Sequence, residues 1–491
     1  MSPNAPAASA PAPGKSRGLQ THPGLRAESI CRTLLRLLAL CCAGAAHAAI
    51  AVQPSAATVA QQADSTLKRV VPADGPGAAV LIARGDQVLY RGARGMASLE
   101  LGVKLSPQQL FRIGSVTKMF TAATVLKLVD AGQLSLQDPL SKFLPDYPGG
   151  DNITIHQLLN HTSGIKDYAQ IPDVSGAQDA DTAALIAIFK GQPVDFPPGT
   201  DWAYSNSGYV LLGAVIEKLS RHSWFETMRQ QLLEPLHLRH TLYATDLPLV
   251  PGRVAGYSRD QHGQLTNAGY LIGPGADGAL AASLDDLFNW MRALNTGQVL
   301  SPGSYQKMIT PQPNNSGKPT NYGYGMMLTR VRGAPVLEHD GGISGFAAQL
   351  AYLPSQQITV VTLVNTDTYK PNAAALGHQM AAIALGQPYP EIHPVTLSES
   401  QLRPLTGVYR IDERTQRTLT LRDGVLYSQR GDGPARPLIA TSPDQLYFDA
   451  NSIDGMTAVR DASGAVIALD FFDSASDSTA REPRGTAAAP P

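Results

Sequence analysis

The stretch FRIGSVTK, residues Phe111 to Lys118, decides the fold, because it joins an apolar strand end to the first turn of a long helix. Apolar side chains then recur every three or four residues, the spacing of one buried helix face. These side chains are Val116, Phe120, Ala123, Leu126 and Val129. Gly132 follows where a left-handed C-cap is expected. The pattern predicts a helix from Ser115 to Ala131 with Ser115 in its first turn.

A lysine three residues after a serine lies one helical turn away on the same face. A buried, neutral lysine at that distance can deprotonate the serine hydroxyl. The spacing occurs four times, at Ser65/Lys68, Ser115/Lys118, Ser163/Lys166 and Ser304/Lys307. Only Ser115 lies between a strand end and a long apolar helix, so Ser115 and Lys118 are the candidate nucleophile and base.

Two further motifs carry suitable chemistry. Tyr204-Ser205-Asn206 supplies a phenol that can pass a proton and an amide that can hold a carbonyl or the lysine. His339-Asp340-Gly341-Gly342 precedes a strand, and its glycines allow close approach of a substrate backbone. We expect His339 to be a donor that becomes cationic near neutral pH.

Simpler interpretations exist for each of these residues. Tyr204 could be a packed core tyrosine and His339 a hydrogen-bonded turn residue. We interpret His161 as structural. His237 and His240 are three residues apart without a further ligand in a zinc pattern, so we predict no metal and no cofactor.

Together these motifs resemble the serine β-lactamase and penicillin-binding-protein superfamily. The similar branch contains class C β-lactamases, D-alanyl-D-alanine carboxypeptidases, D-aminopeptidases and family VIII-type esterases. The resemblance covers about Ala78 to Asn365 and includes Leu158 to Gly164 and Pro198 to Asn206. A weaker resemblance links the region after Leu405-Thr406-Gly407-Val408-Tyr409 to a lipocalin-like domain.

The resemblance implies a role for each motif residue. Ser115 would be acylated, Lys118 would be its base, Tyr204 would carry a proton to the leaving group, and Asn206 would orient its neighbours. The backbone N–H groups of Ser115 and Gly342 would form the oxyanion hole. His339, Gly341 and Gly342 would contact the substrate. Many β-lactamases carry lysine where His339 stands, which makes β-lactamase activity the less secure expectation.

The remaining pattern predicts an α+β fold: an antiparallel sheet flanked by helices, with a mostly helical insert and a small C-terminal all-β, barrel-like domain. Two hairpins frame the sheet, Ala78–Ala83 with Val88–Arg91 and Ala347–Leu353 with Ile358–Val364. The expected boundaries are a leader and signal peptide at 1–48, the hydrolase domain at 49–394, the β domain at 395–475 and a disordered tail at 476–491.

Charge composition and the N-terminal sequence indicate which partners to exclude and in which cell compartment to expect the protein. Lys+Arg 39 against Asp+Glu 40 gives a net charge of -1, without the basic surplus typical of nucleic-acid binding. Arginines precede the apolar run Leu34–Ala46, which ends in Ala46-His47-Ala48 like a signal-peptidase site and is too short for a stable membrane span. We therefore expect a periplasmic or secreted protein, cleaved after Ala48.

The sequence thus predicts an exported serine hydrolase that acts through an acyl-enzyme on a small-molecule or peptide substrate, by cleaving an ester, amide, peptide or β-lactam bond. Cell-wall peptides are among the candidates, and the oligomeric state is open. The alternative is a receptor of the same fold that is acylated once and does not turn over.

Overall fold

The computed structural model describes residues 53–171, 181–244, 249–268, 275–369 and 371–485. The predicted leader and signal-peptide site lie outside these residues. In the described part of the chain, no helix is both long and apolar enough to span a bilayer. The described residues belong to one compact unit that begins at Gln53.

The core of the fold is an antiparallel sheet of six strands in the order β10-β11-β12-β13-β1-β2. Both predicted hairpins, β1–β2 and β12–β13, are confirmed. The N-terminal hairpin joins the C-terminal one in the sheet because β1 pairs with β13. The strands β1 to β13 are Ala78–Arg84, Gln87–Arg94, Met96–Ser98, Val103–Lys104, Phe111–Arg112, Leu242–Tyr243, Tyr257–Arg259, Leu265–Asn267, Leu280–Ala282, Met327–Val331, Ala334–Ile343, Phe346–Leu353 and Ile358–Val364.

Helices cover both faces of this sheet, so nearly every residue of the central strands β1 and β13 is buried. In β1, Ala79, Leu81 and Ala83 join the larger core that contains the helical insert. The alternate residues Ala78, Val80 and Ile82 join a second core formed with helices α1 and α9. Successive side chains of a strand point to opposite faces, so this alternation defines a front face toward the insert and a back face toward α1 and α9. The helices α1 to α10 are Ala56–Val70, Thr117–Asp130, Ile155–Leu159, Thr182–Phe189, Asn206–Ser220, Trp224–Met228, Leu284–Asn295, Pro302–Ile309, Ala373–Ala384 and Glu399–Leu402.

The helix predicted after Ser115 is present with a modified start. Gly114–Val116 forms a 3₁₀ turn, and α2 continues from Thr117 to Asp130. Gly132 has φ 69°, the left-handed conformation expected after the helix end. The predicted helical patterns at Val210–Leu219 and Leu284–Leu294 correspond to α5 and α7.

The C-terminal region is all-β, as predicted. Its strands form one sheet in the order β14-β15-β16-β17 and a second in the order β18-β19-β20-β21-β22. A bridge between Tyr409 in β14 and Arg484 after β22 brings the first and last strands of this meander together around a separate apolar core. The strands β14 to β22 are Gly407–Arg410, Gln416–Arg422, Val425–Arg430, Arg436–Pro437, Ile439–Ser442, Gln445–Tyr447, Gly455–Arg460, Val466–Asp473 and Ser478–Pro483. Whether the region is lipocalin-like remains a prediction, as does the domain boundary at residue 394.

The prediction of a disordered tail from residue 476 is wrong for β22. This strand pairs with β21 along its whole length. Glu482 in β22 also accepts two hydrogen bonds from the buried Arg417 guanidinium, at 2.8 and 2.9 Å. The Ala- and Ser-rich composition suggested disorder, but ladder bonds and this buried ion pair order the segment. Residues 486–491 lie outside the described residues.

Candidate active site

Ser115 lies in a tight turn that packs against strand β11. Gly114 has φ 50°, and a Cβ there would lie 3.0 to 3.2 Å from backbone atoms of Gly342. Only glycine combines that conformation with so close an approach. The turn therefore places the Ser115 backbone against the Gly341-Gly342 segment. The predicted site requires this contact, because it combines the motif of Ser115 with that of His339.

Lys118 is fully buried one turn after Ser115. Its Nζ lies 3.1 Å from Ser115 Oγ, 2.7 Å from Asn206 Oδ1 and 2.8 Å from the backbone oxygen of Asp277. Burial lowers the pKa of Lys118 to about 8, although Asp277, Asp167 and Asp340 act in the opposite direction. A sizeable neutral fraction near neutral pH lets this amine accept a proton from Ser115.

The other three serine–lysine pairs are occupied elsewhere. Lys68 pairs with Asp64, and Lys166 pairs with Asp195. The Ser304 hydroxyl donates to Asp130. The choice of Ser115 and Lys118 among the four pairs thus agrees with the geometry.

Tyr204 and Asn206 enter the site from the start of α5. Lys118 Nζ lies 4.8 Å from the centre of the Tyr204 ring. Burial raises the pKa of Tyr204 well above its ordinary value, while a hydrogen bond with Ser115 acts to lower it. Tyr204 is consequently a neutral phenol beside Ser115, and its hydroxyl can accept a hydrogen bond and donate a proton.

Asn206 separates Lys118 from a carboxylate. Its Oδ1 accepts from Lys118, while its Nδ2 donates to both carboxylate oxygens of Asp167 at 3.2 Å. Asp277 likewise offers Lys118 its backbone oxygen, while its carboxylate accepts a hydrogen bond from the Tyr168 hydroxyl at 2.8 Å. Lys118 therefore has two acidic neighbours without a direct ion pair to either, so the effect of burial outweighs theirs and the pKa of Lys118 is lowered.

His339 is buried behind Tyr204 rather than exposed to solvent. Its Nδ1 donates to the backbone oxygen of Asp340 at 2.6 Å, so its Nε2 accepts from the Tyr322 hydroxyl at 2.8 Å. Burial lowers the pKa of His339 to about 4, and Lys118 adds to this effect while Asp340 opposes it. The prediction of a histidine cationic near neutral pH is wrong, because the sequence did not reveal how deeply the ring is buried.

The two glycines of the third motif lie beside the nucleophile. A Cβ on Gly341 would lie 2.0 Å from the Ile113 backbone oxygen and 3.1 Å from the Ser115 backbone nitrogen. A Cβ on Gly342 would meet nothing within 4 Å. Gly341 thus makes the close contact, and Gly342 borders open space next to Ser115 where a substrate carbonyl can lie.

Several residues of the site had no motif to mark them: Asp167, Tyr209, Asp277 and Tyr322. His161, interpreted as structural, accepts from the Ser205 backbone N–H at 3.2 Å and packs 4.4 Å from the Tyr204 ring. The described residues contain no group of three or more His, Cys, Asp or Glu side chains that could hold a metal ion.

A serine in a turn at the start of a helix, with a buried lysine one turn later and an antiparallel sheet beside it, is an arrangement typical of serine hydrolases. The profile of the Beta-lactamase family matches residues 64–385, more than half of the chain. The protein belongs to the Beta-lactamase family.

Named relatives include peptidases and penicillin-binding proteins. The chain is 28% identical to the D-aminopeptidase of Gluconobacter oxydans over 342 residues, 68% of this chain and 64% of that protein, so it spans less than two thirds of that relative. It is 27% identical to penicillin-binding protein 4* of Bacillus subtilis over 402 residues, 76% of this chain and 88% of that protein.

Solved structures agree with this assignment. The octameric penicillin-binding protein homologue from Pyrococcus abyssi superposes with a TM-score of 0.61 at 25% identity, over 84% of this chain and 94% of that chain. A D-stereospecific amidohydrolase from a Streptomyces species gives a TM-score of 0.55 at 29% identity, over 64% of this chain and 95% of that chain.

Proposed function

We propose that this protein is a serine amidohydrolase that cleaves an amide or peptide bond next to a free amino group, as an aminopeptidase or amino-acid amidase does. The observation that carries the proposal is the charge around the nucleophile. The charged groups that raise the pKa of Lys118 are three carboxylates, those of Asp277, Asp167 and Asp340. Such a site favours an ammonium group over a carboxylate on the substrate.

In the acylation step, neutral Lys118 accepts the Ser115 hydroxyl proton while Ser115 Oγ forms a bond to the substrate carbonyl carbon. The carbonyl oxygen becomes an oxyanion that the N–H groups of Ser115 and Gly342 stabilise. Tyr204 donates its proton to the leaving nitrogen as the carbon–nitrogen bond breaks, and it regains a proton from Lys118. Water then hydrolyses the ester to Ser115 with the same groups acting in reverse.

Asp340 is the group best placed to bind the substrate ammonium. Its side chain is 57% exposed, so it can reach a ligand from solvent. Its charge also acts on Lys118 and Tyr204, so its electrostatic field reaches the reacting groups. Because His339 is neutral and buried, the charge that this motif presents is negative. Substrates that need a cation for a terminal carboxylate fit this site less well, and the names of several relatives, D-aminopeptidase among them, agree with this preference.

A matched pair of substrates tests the proposal: D-alanine p-nitroanilide and its N-acetyl derivative, which differ in the ammonium group. We expect wild-type kcat/KM to be about tenfold or more higher for the free amine. Asp340→Asn should remove most of that preference with little change for the acetylated substrate. Asp432→Asn, a change at an exposed residue of the C-terminal region, serves as the control.

Two results would count against the proposal. Faster hydrolysis of nitrocefin than of either anilide would indicate β-lactam specificity. A single burst of nitroaniline without steady turnover would favour the receptor alternative.

Export is a second, separate proposal that rests on the sequence of residues 1–48 alone. We expect a mature N-terminus at Ala49 in the periplasm or medium. Intact-mass measurement of protein recovered from these fractions would contradict export if the leader were still attached.

A further inference from the structure

Glu338 lies next to His339 in β11 and points to the back face of the sheet. It is buried, and its carboxylate accepts a hydrogen bond at 2.6 Å from Thr329 Oγ1 in β10 and another at 2.6 Å from Gln349 Nε2 in β12. His378 Nε2 in α9 lies 3.0 Å from both carboxylate oxygens. One carboxylate thus connects β11 to both neighbouring strands and to the helix behind them.

The Glu338–His378 contact is a charged pair. Burial acts to raise the pKa of Glu338, but His378 and the other donors outweigh it, and the pKa is lowered. Burial acts to lower the pKa of His378, but Glu338 outweighs it, and the pKa is raised. Each group therefore favours the charged form of the other, and loss of one would leave the other buried without its charge partner.

His378 also lies near the C-terminal β region. The charge of Asp477 and the backbone of Ser474, both in the turn between β21 and β22, act to raise the pKa of His378. Asp477 Oδ2 in addition accepts the backbone N–H of Gly333, in the turn between β10 and β11. The turn Ser474–Asp477 therefore holds the start of β11 through Gly333 and acts on His378 through the charge of Asp477.

This network lies three and four residues before Gly341 and Gly342 on the same strand. Those glycines contact the turn that carries Ser115, with little room for displacement. Because the strand is continuous and tightly packed, its position at Glu338 determines where the Gly342 N–H lies relative to Ser115. An oxyanion donor that is displaced even slightly stabilises the transition state less well.

We propose that Glu338 and His378 are positioning residues for the acyl-transfer site, and that the C-terminal β region completes their network through the turn Ser474–Asp477. The proposal rests on the proposed function, in which Ser115 is acylated beside the Gly342 N–H. It makes the C-terminal region part of the catalytic apparatus rather than an appendage.

The test uses the full-length protein with p-nitrophenyl acetate, an uncharged ester that does not depend on Asp340. His378→Leu should lower kcat about tenfold to a hundredfold and leave KM nearly unchanged. This loss should not exceed the loss that follows complete removal of an oxyanion-hole donor. His378→Gln, which keeps a donor for Glu338, should recover most of that loss. His393→Leu, at an exposed histidine, is the matched control. All rates are measured well below each variant's melting temperature.

A second variant tests the C-terminal contact and remains informative if His378→Leu does not fold. Asp477 has φ 48°, so Asp477→Gly removes the side chain without backbone strain. We expect it to lower kcat a few-fold, and Asp477→Asn to retain more activity because it keeps an acceptor for Gly333.

A folded His378→Leu protein with a lower melting temperature but wild-type kcat would overturn the proposal, since the pair would then only stabilise the fold. A wild-type kcat in Asp477→Gly would show that the C-terminal region does not help to position the site. Failure of the wild-type Ser115 to react with a fluorophosphonate would instead be a failure of the proposed function.

Discussion

The two faces of strand β11 bury ionisable groups equally deeply and treat them in opposite ways. On the front face, burial lowers the pKa of His339 to about 4 and that of Lys118 to about 8. On the back face, the pKa of His378 is raised although the residue is also buried. The difference is the direct carboxylate partner that His378 has in Glu338. Burial alone favours the neutral form, and a contacting opposite charge reverses that preference.

The front face therefore holds reactive groups and the back face holds paired ones. Lys118 meets its acidic neighbours only through the amide of Asn206 and the backbone of Asp277. A direct ion pair would hold Lys118 protonated and unable to act as a base. The comparison predicts that front-face substitutions change activity more than stability, and that back-face substitutions change both.

The largest expected effect is on the front face. Ser115→Ala and Lys118→Met should each lower kcat by about 10⁴-fold or more, and the double variant should be little slower, because the two residues act as one unit. Lys118→Met should lower stability less than His378→Leu does, because the carboxylates near Lys118 are not in direct ion pairs with it and keep their own hydrogen-bond donors, Asn206 and Tyr168. Turnover, fluorophosphonate labelling and thermal unfolding measure these effects.

Ser65→Ala is the control for this prediction, because Ser65 belongs to an exposed serine–lysine pair. Labelling that persisted in Ser115→Ala would remove Ser115 from the mechanism. A Lys118→Met protein that was strongly destabilised would contradict the contrast between the two faces.

On the back face, His378→Leu should lower the free energy of unfolding by about 3–5 kcal/mol, because it leaves the Glu338 carboxylate buried without its charge partner. Denaturant unfolding of the variant and of His393→Leu measures the difference. Further replacement of Glu338 by Gln in the His378→Leu background should recover part of the loss. If the double variant were less stable still, the stranded charge would not be the cause.

The pair also predicts the pH dependence of stability. The Glu338 contribution is complete above its ordinary pKa of 4.5 and is lost as pH falls through its lowered folded value. The His378 contribution is complete below its ordinary pKa of 6.5 and is lost as pH rises through its raised folded value. The stabilisation that wild type has over His378→Leu should therefore be greatest between pH 4.5 and 6.5, which unfolding curves across this range would measure.

A substitution on the front face can give Lys118 the direct carboxylate partner that it lacks. Asn206→Asp would place a carboxylate in contact with Lys118 and raise the pKa of that lysine. We expect kcat/KM to fall about tenfold or more at pH 7, with a smaller loss at pH 9 where more of the amine is neutral. A loss of equal size at both pH values would indicate a steric effect instead.

The smallest effect is expected at Asp340, whose carboxylate is separated from Lys118 and largely solvated. Its charge raises the pKa of Lys118, so Asp340→Asn should lower that pKa. We expect kcat/KM of wild type to rise with pH around the Lys118 pKa of about 8, and this rise should move slightly to lower pH in Asp340→Asn. Hydrolysis of p-nitrophenyl acetate across pH 6 to 9, corrected for spontaneous hydrolysis, measures the displacement. Movement to higher pH would contradict the assignment of Lys118 as the titrating base.

The sequence predicted those parts of the site that have fixed local spacing. Ser115 and Lys118 are one helical turn apart, and Tyr204 and Asn206 flank a helix start, so a motif can identify them. Asp277 is 159 residues from Lys118 and is joined to it by a backbone oxygen, which no side-chain pattern encodes. Long-range packing decides such contacts.

The same limit explains the other differences. The hairpins of the central sheet were predictable because their strands are apolar and β-branched. Helix α1 was not predicted. Strand β22 was predicted as disorder because its pairing with β21 and the contact with Arg417, rather than its own composition, stabilise it. The neutrality of His339 depends on Tyr322 and on burial, neither of which follows from the motif.

The bridge from Tyr409 to Arg484 has a consequence for solubility. An edge strand exposes unpaired N–H and C=O groups that can pair with a second molecule, and closing the meander leaves fewer such groups available. A chain that ended before Ser478 would lose β22 and leave both β21 and β14 as open edges. Such a protein would be expected to associate edge to edge into oligomers or aggregates, so the last ordered strand guards against self-assembly.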